Sequence, residues 1–136
     1  YHSQLGEIMW NHCGMARDES GLRKAIEEIQ GLREAYGEDL KVAGTAMSFN
    51  QNLEYASRVS AYMGFAELMV RDALDREESC GGHFRVEHQT SEGEARRNDE
   101  DFTHVSAWEY KEGNEFELHR EELQFEHVKL AERSYK

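Results

Sequence analysis

One long stretch sets the fold. Leu53, Ala56, Val59, Met63, Ala66, Val70, Ala73 and Leu74 recur at an average spacing close to the helical repeat of about 3.6 residues, running on to about Glu78. Tyr55, Tyr62, Phe65, Leu68 and Met69 add a second apolar flank. A helix with one greasy stripe needs one neighbour, and a helix apolar on two flanks must be covered from two sides. One side is expected to face a second helix, the other the first helix, the tail or another protein. Ser48 or Asn50 supplies the N-cap. Gly64, inside the run, costs ~1 kcal/mol relative to Ala and permits close packing or a slight bend.

Two shorter helices precede it. Leu5, Ile8, Met9 and His12 share one helical face, with Ser3 as the expected N-cap and Gly14 as the expected stop. Such a short helix is marginal alone and must dock. Asp18 reads as a second N-cap. Leu22, Ala25, Ile26, Ile29, Leu32, Ala35 and Tyr36 then form an amphipathic stripe that Gly37 is expected to end. Arg23, Lys24, Glu27, Glu28, Arg33 and Glu34 cover the wet face. Glu38 to Met47 has no strong period and reads as loop.

Beyond Glu78 the period changes. Cys80-Gly81-Gly82 breaks the helix, and residues 83–87 alternate like a strand. Ser91 to Asp101 reads as an exposed loop. Phe102 to Tyr110 is rich in strand formers, Glu112-Gly113-Asn114 makes a turn, and Phe116 and Leu118 alternate with charges, which together predict a β-hairpin. The tail to Lys136 is extended and basic at its end. The expected fold is mainly α: a three-helix antiparallel bundle of the spectrin-repeat kind over 1–80, then an extended arm, a hairpin and a tail over 81–136, in a single domain.

Charge narrows the partners. The 136 residues carry a formal net charge of −12, and 32% are charged against 38% hydrophobic. An acidic surface repels phosphate backbones and anionic lipid headgroups, so neither nucleic acid nor direct membrane contact is expected. No apolar run approaches the ~20 residues needed to span a bilayer. The first residues lack the pattern of a signal peptide, and a start without Met suggests an excised piece. Cys13 and Cys80 form neither a C-x-x-C pair nor a zinc spacing, and read as reduced thiols of a cytosolic protein. Proline is absent, so stops fall to Gly, Asn and Asp.

The sequence also lacks G-x-G-x-x-G, a P-loop, H-E-x-x-H and G-x-S-x-G. His83, His88, His104, His119 and His127 have no tight metal spacing and read as surface residues plus one or two partly buried hydrogen-bonders. Glu77 and Glu78, at an expected helix C-terminus, oppose the macrodipole and call for a basic partner, with Arg76 and Arg85 nearby. No catalytic, cofactor-binding or metal-ligating residue is assigned.

The run Ala73-Leu74-Asp75-Arg76-Glu77-Glu78-Ser79-Cys80-Gly81-Gly82-His83-Phe84-Arg85 resembles the end of the long helix in the succinate dehydrogenase and fumarate reductase flavoprotein family, which typically reads A-L-x-R-x-E-S-R-G-A-H-x-R. Cys80 stands where Arg is usual and Gly82 where Ala is usual. Leu5-Gly6-Glu7-Ile8-Met9-Trp10, Cys13-Gly14-Met15 and Arg17-Asp18-Glu19-Ser20-Gly21-Leu22 are similar to the family's opening. Ala107 to Lys111 and Val128 to Tyr135 are similar to the branch with an extension after the helices. The resemblance implies a C-terminal domain whose full-length protein holds FAD and dicarboxylate upstream, where the flavin-linking His and proton-donating Arg also lie. It implies packing on the FAD-binding domain of the same chain, proximity to an iron-sulfur subunit, and a cytoplasmic place on the membrane's inner face through partner subunits. The chain alone is expected to hold no cofactor and show no flavin spectrum or activity. Ser79, His83 and Arg85, beside the two glycines, are the expected interdomain docking residues. Two other readings fit the residues: a free-standing acidic interaction module, and a small metal-dependent hydrolase using His83, His88 and nearby carboxylates.

Overall fold

Three residues fix where the helices begin. Tyr1 stands at the N-cap position of α1, His2–His12, with no side-chain cap bond. Ser3, expected in that role, lies inside the first turn. The reason is tertiary. Tyr1 donates its hydroxyl to the Ala35 carbonyl at 3.0 Å and meets the Tyr36 ring edge-on at 5.1 Å, and such packing outweighs a cap worth about 1 kcal/mol. Asp18 caps α2, Glu19–Asp39, accepting the Gly21 amide at 2.8 Å. Asn50 precedes α3, Gln51–Asp75, and accepts the amides of Asn52 and Leu53 at 3.1 and 3.3 Å. The computed structural model describes residues 1–45, 47–113 and 115–132. Asn114 of the expected turn and residues 133–136 of the expected basic tail lie outside them.

The helix ends differ from the sequence expectation in two places. α2 runs past Gly37 to Asp39, and Leu40 leaves it in extended geometry (φ −60°, ψ 125°). Glycine permits a stop without imposing one. α3 stops at Asp75, short of Glu78. The backbone beyond it bonds elsewhere: the Arg76 carbonyl accepts from His83, and the Ser79 amide donates to the Arg96 carbonyl at 2.9 Å.

The chain divides into two compact units, Tyr1–Asp75 and Arg76–Lys136. In the first, Tyr1 at the start of α1 lies by Ala35 and Tyr36 late in α2, whereas His12 at its end lies by Glu28. Arg33 and Gln30 of α2 reach Glu67 of α3, and Tyr36 donates to the Ala56 carbonyl. Successive helices are therefore antiparallel. Their apolar stripes meet in a core of Leu5, Cys13, Leu22, Ala25, Ile29, Met63, Ala66, Val70 and Ala73. Leu53, expected on the core stripe, stays exposed in the first turn of α3. Burial pushes the Cys13 thiol above its ordinary value, against the opposing pull of Arg17. Both cysteines are free thiols.

Gly14, just past the end of α1, is there for space. A Cβ added to it would lie 2.7 Å from the Trp10 carbonyl oxygen. Gly14→Ala is expected to cost about 1–3 kcal/mol, read as a lower urea midpoint for the first unit. An unchanged midpoint would show that the backbone yields without penalty.

The second unit is built on turns. Residues 83–87 form no strand. Cys80 and His83 instead exchange backbone bonds at 2.8 and 3.0 Å around Gly81, whose φ is +59°, and the His88 amide closes a further turn on the Arg85 carbonyl. With both partners local, no ladder forms. The stretch expected as loop ends in one helical turn, α4, Asp99–Phe102, capped by Asn98. Phe102 belongs to it, so β1 begins later, at His104–Lys111, and pairs antiparallel with β2, Glu115–Glu122, matching Trp108 with Leu118 and Tyr110 with Phe116. No helix among the described residues is long and apolar enough to cross a membrane.

Candidate docking site

The residues singled out beside the two glycines come together, and they do so inside the second unit. Ser79 and Arg85 are both buried. The Ser79 hydroxyl accepts the Arg85 amide at 2.8 Å and donates to the Arg85 carbonyl at 3.1 Å. One side chain thus satisfies both backbone groups of a residue six positions on, as buried polar backbone requires. The Arg85 guanidinium lies 3.3 Å from Glu87. His83, half-buried, bonds the Arg76 carbonyl through Nε2 at 2.9 Å, which places the proton on that nitrogen.

Next to this lies Glu78, also buried. Arg76 donates to it through Nε and Nη2 at 3.2 and 3.0 Å, and its other oxygen accepts the Asn98 amide at 3.0 Å. The basic partner that the paired acids called for is Arg76, while Glu77 is exposed. Arg76 also donates to the Phe102 carbonyl at 2.7 Å. The result is a polar knot that shapes the Cys80–His83 turn from within. Outside it, Gly81 and Gly82 are exposed, and a Cβ on Gly82 would meet nothing within 4 Å. No internal contact demands a glycine there, so the bare backbone is open to close approach.

A second surface lies on α3. Tyr55, Tyr62, Phe65 and Met69 are 51%, 49%, 63% and 43% exposed, so α1 and α2 leave this flank open. The stretch Val59 to Ala66 carries no charge. Arg58, paired with Glu54, is the charge on this face, between Tyr55 and Tyr62. A row of large exposed apolar side chains of this kind makes the flank a candidate contact surface.

Sequence reasoning missed Glu67. It sits one helical turn beyond Met63 and one before Val70, on the core face, and is almost wholly buried. Arg33 donates to it at 2.6 Å, Arg71 at 2.7 and 3.0 Å, and Gln30 at 3.0 Å. Arg33, expected on the wet face, therefore turns inward. Burial alone would raise this carboxyl, yet the bonds from Arg71, Gln30 and Arg33 hold it below the ordinary glutamate value. An acid at a core position of an apolar stripe was the signal.

Glu109, Glu117 and His119 on the hairpin are the one group of metal-ligating side chains brought within 4.8 Å among the described residues. All three are exposed, and the Lys111 ammonium already sits 2.8 Å from Glu109 and 3.0 Å from Glu117. Lys111 and His119 draw the Glu109 carboxyl down. His83 and His88 do not share a ligand set: one bonds Arg76, the other lies 3.5 Å from Arg96. The residues present do not fit FAD either. A dinucleotide cradle needs a glycine turn between a parallel strand and a helix, and the sheet described here is an antiparallel hairpin.

The architecture is shared with a solved E. coli quinol fumarate reductase FrdA chain carrying a point mutation. It superposes with a TM-score of 0.81 at 23% identity over 97% of this chain and 22% of that one. Three helices, a turn-built arm and a hairpin thus recur as a fold within a quinol fumarate reductase chain. The family described as "Fumarate reductase flavoprotein C-term" matches residues 2–135, and the chain belongs to it. Among curated relatives, the Proteus vulgaris fumarate reductase flavoprotein subunit is 31% identical over 111 residues, 81% of this chain and 18% of that protein. The E. coli fumarate reductase flavoprotein subunit is 29% identical over 99 residues, 73% of this chain and 16% of that protein. The chain thus spans less than a fifth of the length of these relatives.

Proposed function

We propose that this chain is the helical C-terminal domain through which a succinate dehydrogenase or fumarate reductase flavoprotein subunit closes over its FAD-binding part and helps to dock an iron-sulfur subunit. The whole protein interconverts succinate and fumarate with FAD, passes electrons to iron-sulfur clusters, and sits at the inner face of the membrane through its partner subunits. The observation that carries this reading is the open flank of α3. The occupant proposed for it is the FAD-binding part of the same polypeptide, because the relatives are flavoproteins more than five times as long as the stretch they share with this chain. Ser79, His83 and Arg85 serve docking indirectly, by holding the Gly81-Gly82 turn in a shape that another backbone can approach.

The test uses the FAD-binding part expressed separately and titrated with this chain. Tyr62→Glu with Phe65→Glu places two charges in the apolar flank and is expected to weaken association on the order of tenfold or more. The helical circular dichroism should remain, since neither residue is in the core. Equal affinity of the double variant and the parent chain would sink the assignment of this face.

A further inference from the structure

The second unit carries a cleft that the docking reading does not use. It measures about 550 Å³ and is lined by Glu77, His88, Arg96, Arg97, Asn98, Asp101, Phe102 and Arg120. The size falls within the usual range for small-molecule sites. In a chain of net charge −12, three guanidiniums and an imidazole share one concavity.

The cleft's charges are not all cancelled internally. Arg97 is: its Nε and Nη2 donate to Asp99 at 2.9 and 2.7 Å, and its Nη1 to the Ala131 carbonyl at 2.8 Å. Asp101 is engaged too, accepting from the Asn98 side chain at 2.9 Å. Arg96 differs. Its guanidinium lies 3.5 Å from His88 Nδ1, and no carboxylate among the described residues is within ion-pair distance of it. The Arg96 backbone is pinned on both sides, its amide donating to the His88 carbonyl at 3.1 Å and its carbonyl accepting from Ser79 at 2.9 Å. The side chain therefore springs from a fixed base. Arg120 comes from β2, opposite Ser106, 24 positions along the chain from Arg96. Arg96 and Arg120, both exposed and from separate segments, line one space, and Phe102 supplies an apolar wall. Glu77 on the rim disfavours dense negative charge and offers an acceptor to a ligand hydroxyl.

From this the geometry points to a binding site for a small oxyanion, carboxylate or phosphate, gripped between Arg96 and Arg120. Guanidinium forks match the planar, bidentate geometry of such groups. The inference is independent of the docking role and can fail without it.

The 136-residue chain is titrated with inorganic phosphate and, separately, with malonate, at constant ionic strength so that screening does not change. Arginine Nε–Hε resonances are followed by NMR. Saturable shifts at Arg96 and Arg120 are expected, and the probe that saturates first identifies the phosphate or the carboxylate source. Arg96→Gln and Arg120→Gln should each weaken binding roughly tenfold. Arg23→Gln, an exposed residue paired with Glu19 on α2, removes the same charge elsewhere and should leave binding unchanged. Shifts linear up to about 50 mM of both probes, far weaker than a millimolar site, would overturn the inference. So would an equal loss in all three variants, which would report bulk charge alone.

Discussion

Glu67→Ala is expected to remove about 2–4 kcal/mol from the first unit and lower its Tm by roughly 10 °C or more. The carboxylate is almost wholly buried, while its arginine partners keep 27% and 32% of their side-chain surface in solvent. Deleting the acid leaves those guanidiniums partly hydrated, which places the loss toward the lower part of the range for a broken buried pair. The same site predicts an acid response. Because the folded carboxyl is held below its unfolded value, its contribution is complete above the ordinary glutamate pKa of about 4.3. It declines as pH falls from there and is gone once pH passes below the folded-state value. Urea midpoints measured from pH 6 to pH 3 should fall more steeply for the parent than for Glu67→Gln. Parallel curves would show that Glu67 titrates alike in both states.

Glu78→Ala is expected to be the most damaging change in the second unit. It strips Arg76 of its buried partner and leaves the Asn98 amide without an acceptor, together worth about 3 kcal/mol. None of the fully buried apolar side chains lies beyond Ala73 among the described residues, so little else opposes the loss. Hydrogen exchange gives the readout. Amides of Ser79, Arg85, Arg96 and Asn98 should lose protection, while those of α2 from Leu22 to Ile29 act as an internal reference. Unaltered protection at Ser79 and Asn98 would mean that the knot survives without its acid.

What was legible in the sequence was local. Asp18 and Asn50 cap helices through amides two or three residues ahead, and Leu22, Ala25 and Ile29 declare their face within two turns. The hairpin was legible from alternation and a glycine turn. What was missed depends on distance along the chain. Glu67 meets Arg33 across 34 residues, and Glu78 meets Asn98 across 20. Such pairs follow from helix register and loop path, which no periodicity encodes. The supposed strand at 83–87 failed for a related reason. Alternation states which residues suit an extended chain, but a ladder needs successive paired amides, and here those of His83 and His88 close turns on Cys80 and Arg85. Ser79, His83 and Arg85 were singled out through a family resemblance in the run that contains them, but the bonding of Ser79 to Arg85 and of His83 to the Arg76 carbonyl was not foreseeable from it.

The polar knot of the second unit also bears on how the protein responds to temperature. Heat-capacity change on unfolding comes from exposing apolar surface and is diminished by exposing polar groups. The helical unit, with its aliphatic interior, carries the ordinary curvature of stability with temperature. The unit from Arg76 onward, whose buried residues among those described are Glu78, Ser79, Arg85 and His104, contributes little. Exposing a polar interior of this kind offsets the heat-capacity gain of the apolar groups beside it, so warming and cooling act on the protein chiefly through the bundle's aliphatic core.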